Sequence, residues 1–268
     1  MPSKSSPAEA LERLLTTMAR LRDPAGGCPW DQVQDFATIA PYTIEEAYEV
    51  EDAIQRGDRP ALLDELGDLL FQTVYHAQMA EEEDTFSFSD IAENIHRKMV
   101  LRHPHVFGAA DARTAEEQTQ AWEAQKAGER AARAEAGTLA GIPLALPALT
   151  RAQKLTRRAG RVGFDWPDAE AVLDKLEEEA AELRAELPGS DPARLADEVG
   201  DMLFVLANLA RKLDLDAEAC LRGANRKFER RFGVIEATLA EEGRTPGEAS
   251  LEEMEDLWQR AKRQERGG

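Results

Sequence analysis

Apolar residues in this chain recur at helical spacing. Val199, Met202, Leu203 and Leu206 stand at i, i+3, i+4 and i+7, along one side of a helix. Asp191-Pro192, a cap residue followed by proline, predicts where that helix begins. The helix before it is predicted from about Pro167 to Leu187, with Pro188-Gly189 as its stop. No segment sustains the period-two alternation of β-branched residues that strands require. The pattern predicts an all-α chain with about four helices in each half, and these two have apolar stripes through which they could pack antiparallel.

The pattern occurs twice. Glu45-Glu46-x-x-Glu49 followed by Glu65-Leu66-Gly67-Asp68 returns as Glu178-Glu179-x-x-Glu182 followed by Glu198-Val199-Gly200-Asp201. Each of these five acids lies 133 residues from its counterpart, and Asp68-Leu-Leu-Phe71 likewise faces Asp201-Met-Leu-Phe204. Farther on, Arg97-Lys98 and Arg102 answer Arg226-Lys227 and Arg231 at an offset of 129. Trp122 and Lys126 answer Trp258 and Lys262 at 136. The four-residue change is assigned to a longer loop over Glu81 to Asp90 in the first copy. An aromatic turn precedes each acidic cluster, Gly27-Cys-Pro-Trp30-Asp31 in one copy and Gly163-Phe-Asp-Trp166 in the other.

Such a repeat is a duplicated domain. The first is expected over residues 1–140 and the second over 141–268. The Ala/Glu/Arg-rich run from Ala127 to Leu146 is expected to continue a helix and break near Pro143 and Pro147.

Composition narrows the function. Aromatics make up 6% and charged residues 32%, a balance that suits amphipathic helices better than packed sheets. With a net charge of −19 the chain repels phosphate backbones, so a nucleic-acid polymer is not an expected partner. A small anionic substrate would need a cation between itself and the protein. Cys28 and Cys220 are far apart and form no Cys-x-x-Cys motif, which excludes a zinc cage and a disulfide framework. The polar start lacks a signal-peptide core, and no apolar run approaches the roughly 20 residues of a membrane span, so a soluble cytoplasmic protein is expected.

The repeated acids then supply the chemistry. On a helix Glu179 and Glu182 project from nearly one side, as do Glu198 and Asp201 on the next. If the helices pack antiparallel, the four carboxylates converge at one seam, where like charges repel and resist desolvation. A divalent cation reverses that balance, and an all-oxygen ligand set suits Mg²⁺ or Mn²⁺ rather than zinc or iron. Gly67 and Gly200 each cost about 1 kcal/mol relative to alanine within a helix. Their position predicts close approach of another backbone or of the ligand. Spacing alone indicates a divalent metal site between helices.

The acidic signature resembles that of the MazG nucleotide pyrophosphohydrolases, in their tandem form. Gly-Cys-Pro-Trp-Asp at 27–31, Arg-His-Pro-His-Val-Phe at 102–107, Lys-Phe-Glu-Arg-Arg-Phe at 227–232 and Trp258-Gln-Arg-Ala-Lys262 extend the resemblance over nearly the whole chain. It implies an all-α, Mg²⁺-dependent enzyme that cleaves ribo- and deoxyribonucleoside triphosphates to monophosphate and pyrophosphate, working as an intertwined homodimer. It also implies that Glu179, Glu182, Glu198 and Asp201 hold the metal, with Glu46, Glu49, Glu65 and Asp68 as a second set. Glu178 is the candidate for positioning the attacking water. Lys175, Arg194, Lys227 and Arg231 would clamp phosphate charge, Trp258 would stack on the base, and Lys262 would assist at the phosphates.

The copies are not equal. Lys175 is matched by Tyr42 and Arg194 by Ala61, so the first copy keeps the acids and lacks two cations. The second copy is therefore the expected catalytic unit. A di-iron bundle would need two Glu-x-x-His motifs, and only Glu93-x-x-His96 is present. The remaining rival is a nucleotide- or alarmone-binding regulatory dimer without turnover.

Overall fold

The protein is represented by a computed structural model that describes residues 5–108, 114, 117–118, 121, 128, 137–189 and 191–267. The chain divides into two compact units, Met1–Gln125 and Lys126–Gly268. Trp122, Lys126 and residues 127 and 129–136 of the expected linking run lie outside the described residues, and its described stretch 137–146 is turns rather than helix. Every regular element among the described residues is helical. None of these helices is long and apolar enough to cross a membrane.

The first unit contains α1 (Pro7–Leu21), the short α2 (Pro29–Gln32), α3 (Phe36–Arg56), α4 (Arg59–Glu82), α5 (Phe88–Arg102) and the short α6 (Pro104–Phe107). The second contains α7 (Ala148–Gly160), α8 (Ala169–Glu186), α9 (Pro192–Lys212), α10 (Ala217–Glu241), a 3-10 turn (Pro246–Glu248) and α11 (Leu251–Gly267).

Caps place the acid-bearing helices. Asp35 accepts from the Thr38 amide at the start of α3, and Asp168 accepts from Ala171 at the start of α8. Asp58 does the same for α4 and Asp191 for α9. A lost cap of this kind costs about 0.5–2 kcal/mol. Both pairs are 133 residues apart, so the acids enter at matching heights on matching helices.

The length difference between the copies is mostly helix. α4 has 24 residues and α9 has 21, so three of the four extra residues prolong a helix and one lengthens the loop before Ser87. The expectation of a longer loop is corrected accordingly, since Glu81 and Glu82 continue the α4 backbone ladder. Both helices stop alike. The Thr85 amide donates to the Ala80 carbonyl and that of Leu215 to Ala210, around left-handed Asp84 (φ 54°) and Asp214 (φ 55°).

In the first unit Met18, Ile39, Val74, Tyr75 and Met79 form a core shared by α1, α3 and α4. In the second, Ala152, Ala207 and Ala217 pack where α7, α9 and α10 meet, and Ile235, Leu239 and Leu257 join α10 to α11. The apolar stripe of α9 does not carry that packing. Val199, Leu203 and Leu206 are 44%, 47% and 42% exposed, while Val205 and Ala207 turn inward. α8 and α9 do lie against each other, but the stripe faces outward from them.

Each aromatic turn is tied to the end of the adjoining acid-bearing helix by a different ion pair. In the first unit the Arg22 guanidinium donates to the Asp31 and Gln34 carbonyls and to the Glu82 carboxylate at 2.7 Å. The Tyr75 hydroxyl joins it, donating to the Asp31 carbonyl at 2.9 Å. In the second unit the charges are exchanged: Asp165 in the turn receives Arg211 at 2.5 Å and Lys212 at 2.9 Å from α9. Lys212 also donates to the Trp166 carbonyl.

Candidate metal centres

Two carboxylate triads result from this scaffold. Oxygens of Glu179, Glu182 and Glu198 lie within 4.8 Å of one another, and so do those of Glu46, Glu49 and Glu65. In each triad the first two residues share one face of a helix and the third comes across from its antiparallel neighbour. Such a spread suits oxygens gathered around one hard cation at about 2.0–2.6 Å. The donor set is all oxygen, so it fits Mg²⁺ or Mn²⁺.

The fourth acids stand a little apart. Asp68 and Asp201 are exposed and outside the triads, yet within electrostatic reach of them. Burial, then the charges of Glu182, Glu179 and Asp201, hold the Glu198 carboxyl above its ordinary range. Glu46 is raised by burial and then by Asp68, Glu49 and Glu65. Glu65 is raised by burial and then by Glu49 and Asp68. Packing acids this closely makes each site avid for positive charge.

The C-terminal site contains one such charge of its own. Lys175 Nζ lies 2.9 Å from Glu178 and 2.9 Å from Glu179, and these two partners, Glu179 first, raise its pKa. Glu179 is only 5% exposed, whereas Glu178 is open to solvent. The counterpart of Lys175, Tyr42, instead meets the Trp30 ring edge-on at 6.2 Å.

The other expected contacts are spread more widely. Arg194 is exposed on the first turn of α9 and reaches Glu186 at 3.2 Å. Arg231 pairs with Glu265 at 2.7 Å and lies 5.5 Å from the Trp258 ring. Trp258 also packs 5.3 Å from Phe228, with Lys227 exposed on the same helix and Lys262 half-buried on α11. Within the second unit the C-terminal triad and Lys175 are thus assembled together, while Arg231 and Trp258 form a second group joining α10 to α11. His103 and His105 form a packed turn, with His103 Nδ1 2.7 Å from the Met99 carbonyl and the rings 5.7 Å apart.

Gly67 and Gly200 do not serve close backbone packing within the described chain. A Cβ at either position would meet no atom within 4 Å. The helix surface beside each acid pair is open, and the glycines keep it low.

Sequence reasoning missed the residues that continue each seam. One and two turns beyond Asp68 on α4 stand Gln72 and His76. Gln72 donates to Glu46 at 3.5 Å, and His76 lies 3.1 Å from Thr43 and stacks on Phe36. Their counterparts at the 133-residue offset are Val205, Leu209 and, for Thr43, Leu176. Applying the offset to the non-acidic positions would have found them.

Comparison with known proteins agrees with this duplication. The MazG nucleotide pyrophosphohydrolase domain matches residues 34–107 and again 168–233, one triad in each segment. A nucleoside triphosphate pyrophosphohydrolase of Escherichia coli (strain K12) is 51% identical over 257 residues, covering 95% of this chain and 98% of that protein. The nucleoside triphosphate pyrophosphohydrolase/pyrophosphatase MazG of Thermotoga maritima is 38% identical over 94% of this chain and 95% of its own length. The uncharacterized protein YabN of Bacillus subtilis is 41% identical over 92% of this chain, which corresponds to half of YabN. With both triads inside matched segments and the likeness running nearly end to end, the chain belongs to the MazG nucleotide pyrophosphohydrolase family.

Proposed function

We propose that the chain hydrolyses ribo- and deoxyribonucleoside triphosphates to the monophosphate and pyrophosphate, and that the C-terminal unit performs this reaction. The observation that carries it is the triad Glu179, Glu182 and Glu198 with Lys175 beside it. Those glutamates, with Asp201 one turn on, would hold Mg²⁺ (or Mn²⁺). When bound, the ion supplies charge neutralisation at the phosphate oxygens and acidifies a coordinated water.

The chain's own residues do the rest. Glu178, open to solvent next to the triad, orients the water that attacks the α-phosphorus. Lys175 leaves its carboxylate partners for a phosphate oxygen as substrate enters. Arg194, Lys227 and Arg231 clamp the remaining phosphate charge, Lys262 assists, and Trp258 offers the base a face indifferent to its identity. The exposed stripe Val199, Leu203 and Leu206 supports a homodimer in which this face is covered. The N-terminal triad with Asp68 is proposed as a second cation site lacking the Lys175 and Arg194 cations.

Product analysis tests this reading. Incubation with a panel of nucleoside triphosphates and Mg²⁺ is expected to release pyrophosphate and monophosphate, and chelation to abolish both. Inorganic phosphate alone would indicate a different hydrolase. Tight binding without any product would favour the regulatory dimer.

A further inference from the structure

Gln72 is 8% exposed, and its amide nitrogen is 3.5 Å from Glu46 Oε1, so the side chain ends at the N-terminal triad. Its amide oxygen is buried without a hydrogen-bond partner among the described residues. A buried acceptor left in this state costs free energy, which burial of an apolar residue at the same place would avoid. The C-terminal copy does avoid it: its residue at that position is Val205, 4% exposed. The N-terminal copy therefore keeps a buried amide, its oxygen unpaired, in contact with Glu46 where its twin has none.

We propose that Gln72 is a ligand of a divalent cation in the N-terminal site, its amide oxygen adding to Glu46, Glu49 and Glu65. Amide oxygens are ordinary ligands of hard cations. This one adds a coordination position without adding charge, to a triad whose carboxylate oxygens already lie within 4.8 Å of one another. Tyr42 leaves that copy without the ammonium that neutralises the C-terminal acids. The inference rests on the N-terminal triad being a cation site and adds a ligand particular to it.

The test titrates Mn²⁺ into the full-length chain carrying Glu182→Gln and Glu198→Gln, so that the N-terminal site is read alone by the free-ion resonance signal. Adding Gln72→Val, the twin's own residue, is expected to weaken the remaining affinity about tenfold or more. Gln72→Glu keeps an oxygen and loses the donor to Glu46, so it is expected to retain binding. A donor role confined to holding Glu46 would instead be lost in both variants. Unaltered Mn²⁺ affinity in a folded Gln72→Val chain overturns the assignment of Gln72 and leaves the triad standing. No Mn²⁺ binding with Gln72 intact removes the N-terminal cation site, and this proposal with it.

Discussion

Along the seam of α3 and α4 the glutamates are followed by Gln72 and the Thr43–His76 pair; along that of α8 and α9 they are followed by Val205, Leu176 and Leu209. The acids themselves are the same. In the C-terminal unit their repulsion is met by Lys175, a fixed ammonium at 2.9 Å, over an apolar floor. In the N-terminal unit no ammonium replaces it at position 42: Gln72 donates to Glu46, the more distant Arg56 charge offsets part of the shift at Glu65, and burial holds the His76 imidazole below its ordinary pKa. A shared ligand set is thus built into two electrostatic settings. The first suits the highly anionic substrate proposed for it, and the second the cation site proposed there.

The sharpest way to break this comparison is to neutralise one buried glutamate in each copy. Glu179→Gln is expected to lower kcat/KM for pyrophosphate release by about 100-fold or more, as removal of a group that organises transition-state charge does. Glu46→Gln should change it by less than about threefold on the same reasoning. Equal losses would sink the division of labour.

A graft of the missing cations comes next in size. With Glu179→Gln silencing the C-terminal site, Tyr42→Lys and Ala61→Arg together should raise Mg²⁺-dependent binding of a non-hydrolysable triphosphate about tenfold or more, since a charge-assisted contact contributes about 1.5–3 kcal/mol. Calorimetry that shows no gain would mean those cations do not distinguish the copies.

The ion pairs at the aromatic turns give a smaller, pH-dependent contrast. Burial works to raise Asp165, but Lys212 and Arg211 outweigh it and hold the carboxyl below its ordinary range. Its contribution is therefore present at neutral pH and is lost as pH falls through the lowered folded value. Asp165→Asn should cost about 1–2 kcal/mol by denaturant titration at about pH 7, with the deficit shrinking toward about pH 3. A deficit that grows on acidification would reverse the assignment.

Glycine substitutions sharpen the comparison least. Gly67→Ala and Gly200→Ala should each stabilise the substrate-free protein by about 0.5–1 kcal/mol, because the alanine methyl meets open space on a helix. A drop in melting temperature would restore the expectation of a crowded backbone there.

Much of this was legible in the sequence. Asp191-Pro192 does open α9, Pro188-Gly189 follows the end of α8, and three of the four acids expected at each seam meet there. Local chemistry decides such features, so sequence carries them. The outward stripe of α9 was not legible, because periodicity tells which residues share a face and not what covers it. The Asp165 pairs were hidden for another reason: they join residues 46 and 47 positions apart, and no spacing rule connects a turn to a helix end. Gln72 is neutral, so aligning the acids and bases of the two copies passes over it.

The three residues by which α4 outlasts α9 set the phase of the helix beyond them. They advance the chain about 4.5 Å along the axis and turn its exit through about 300°, so the next helix leaves in a different direction relative to the acids. α5, with Lys98 and Arg102, therefore follows a helix three residues longer than the one that leads to α10, with Lys227 and Arg231. Substituting side chains can exchange the charges that sit on the shared turns, such as those at 42 and 61. Shortening α4 would be needed as well to match the downstream cations, so helix length adds to residue identity in separating the two copies.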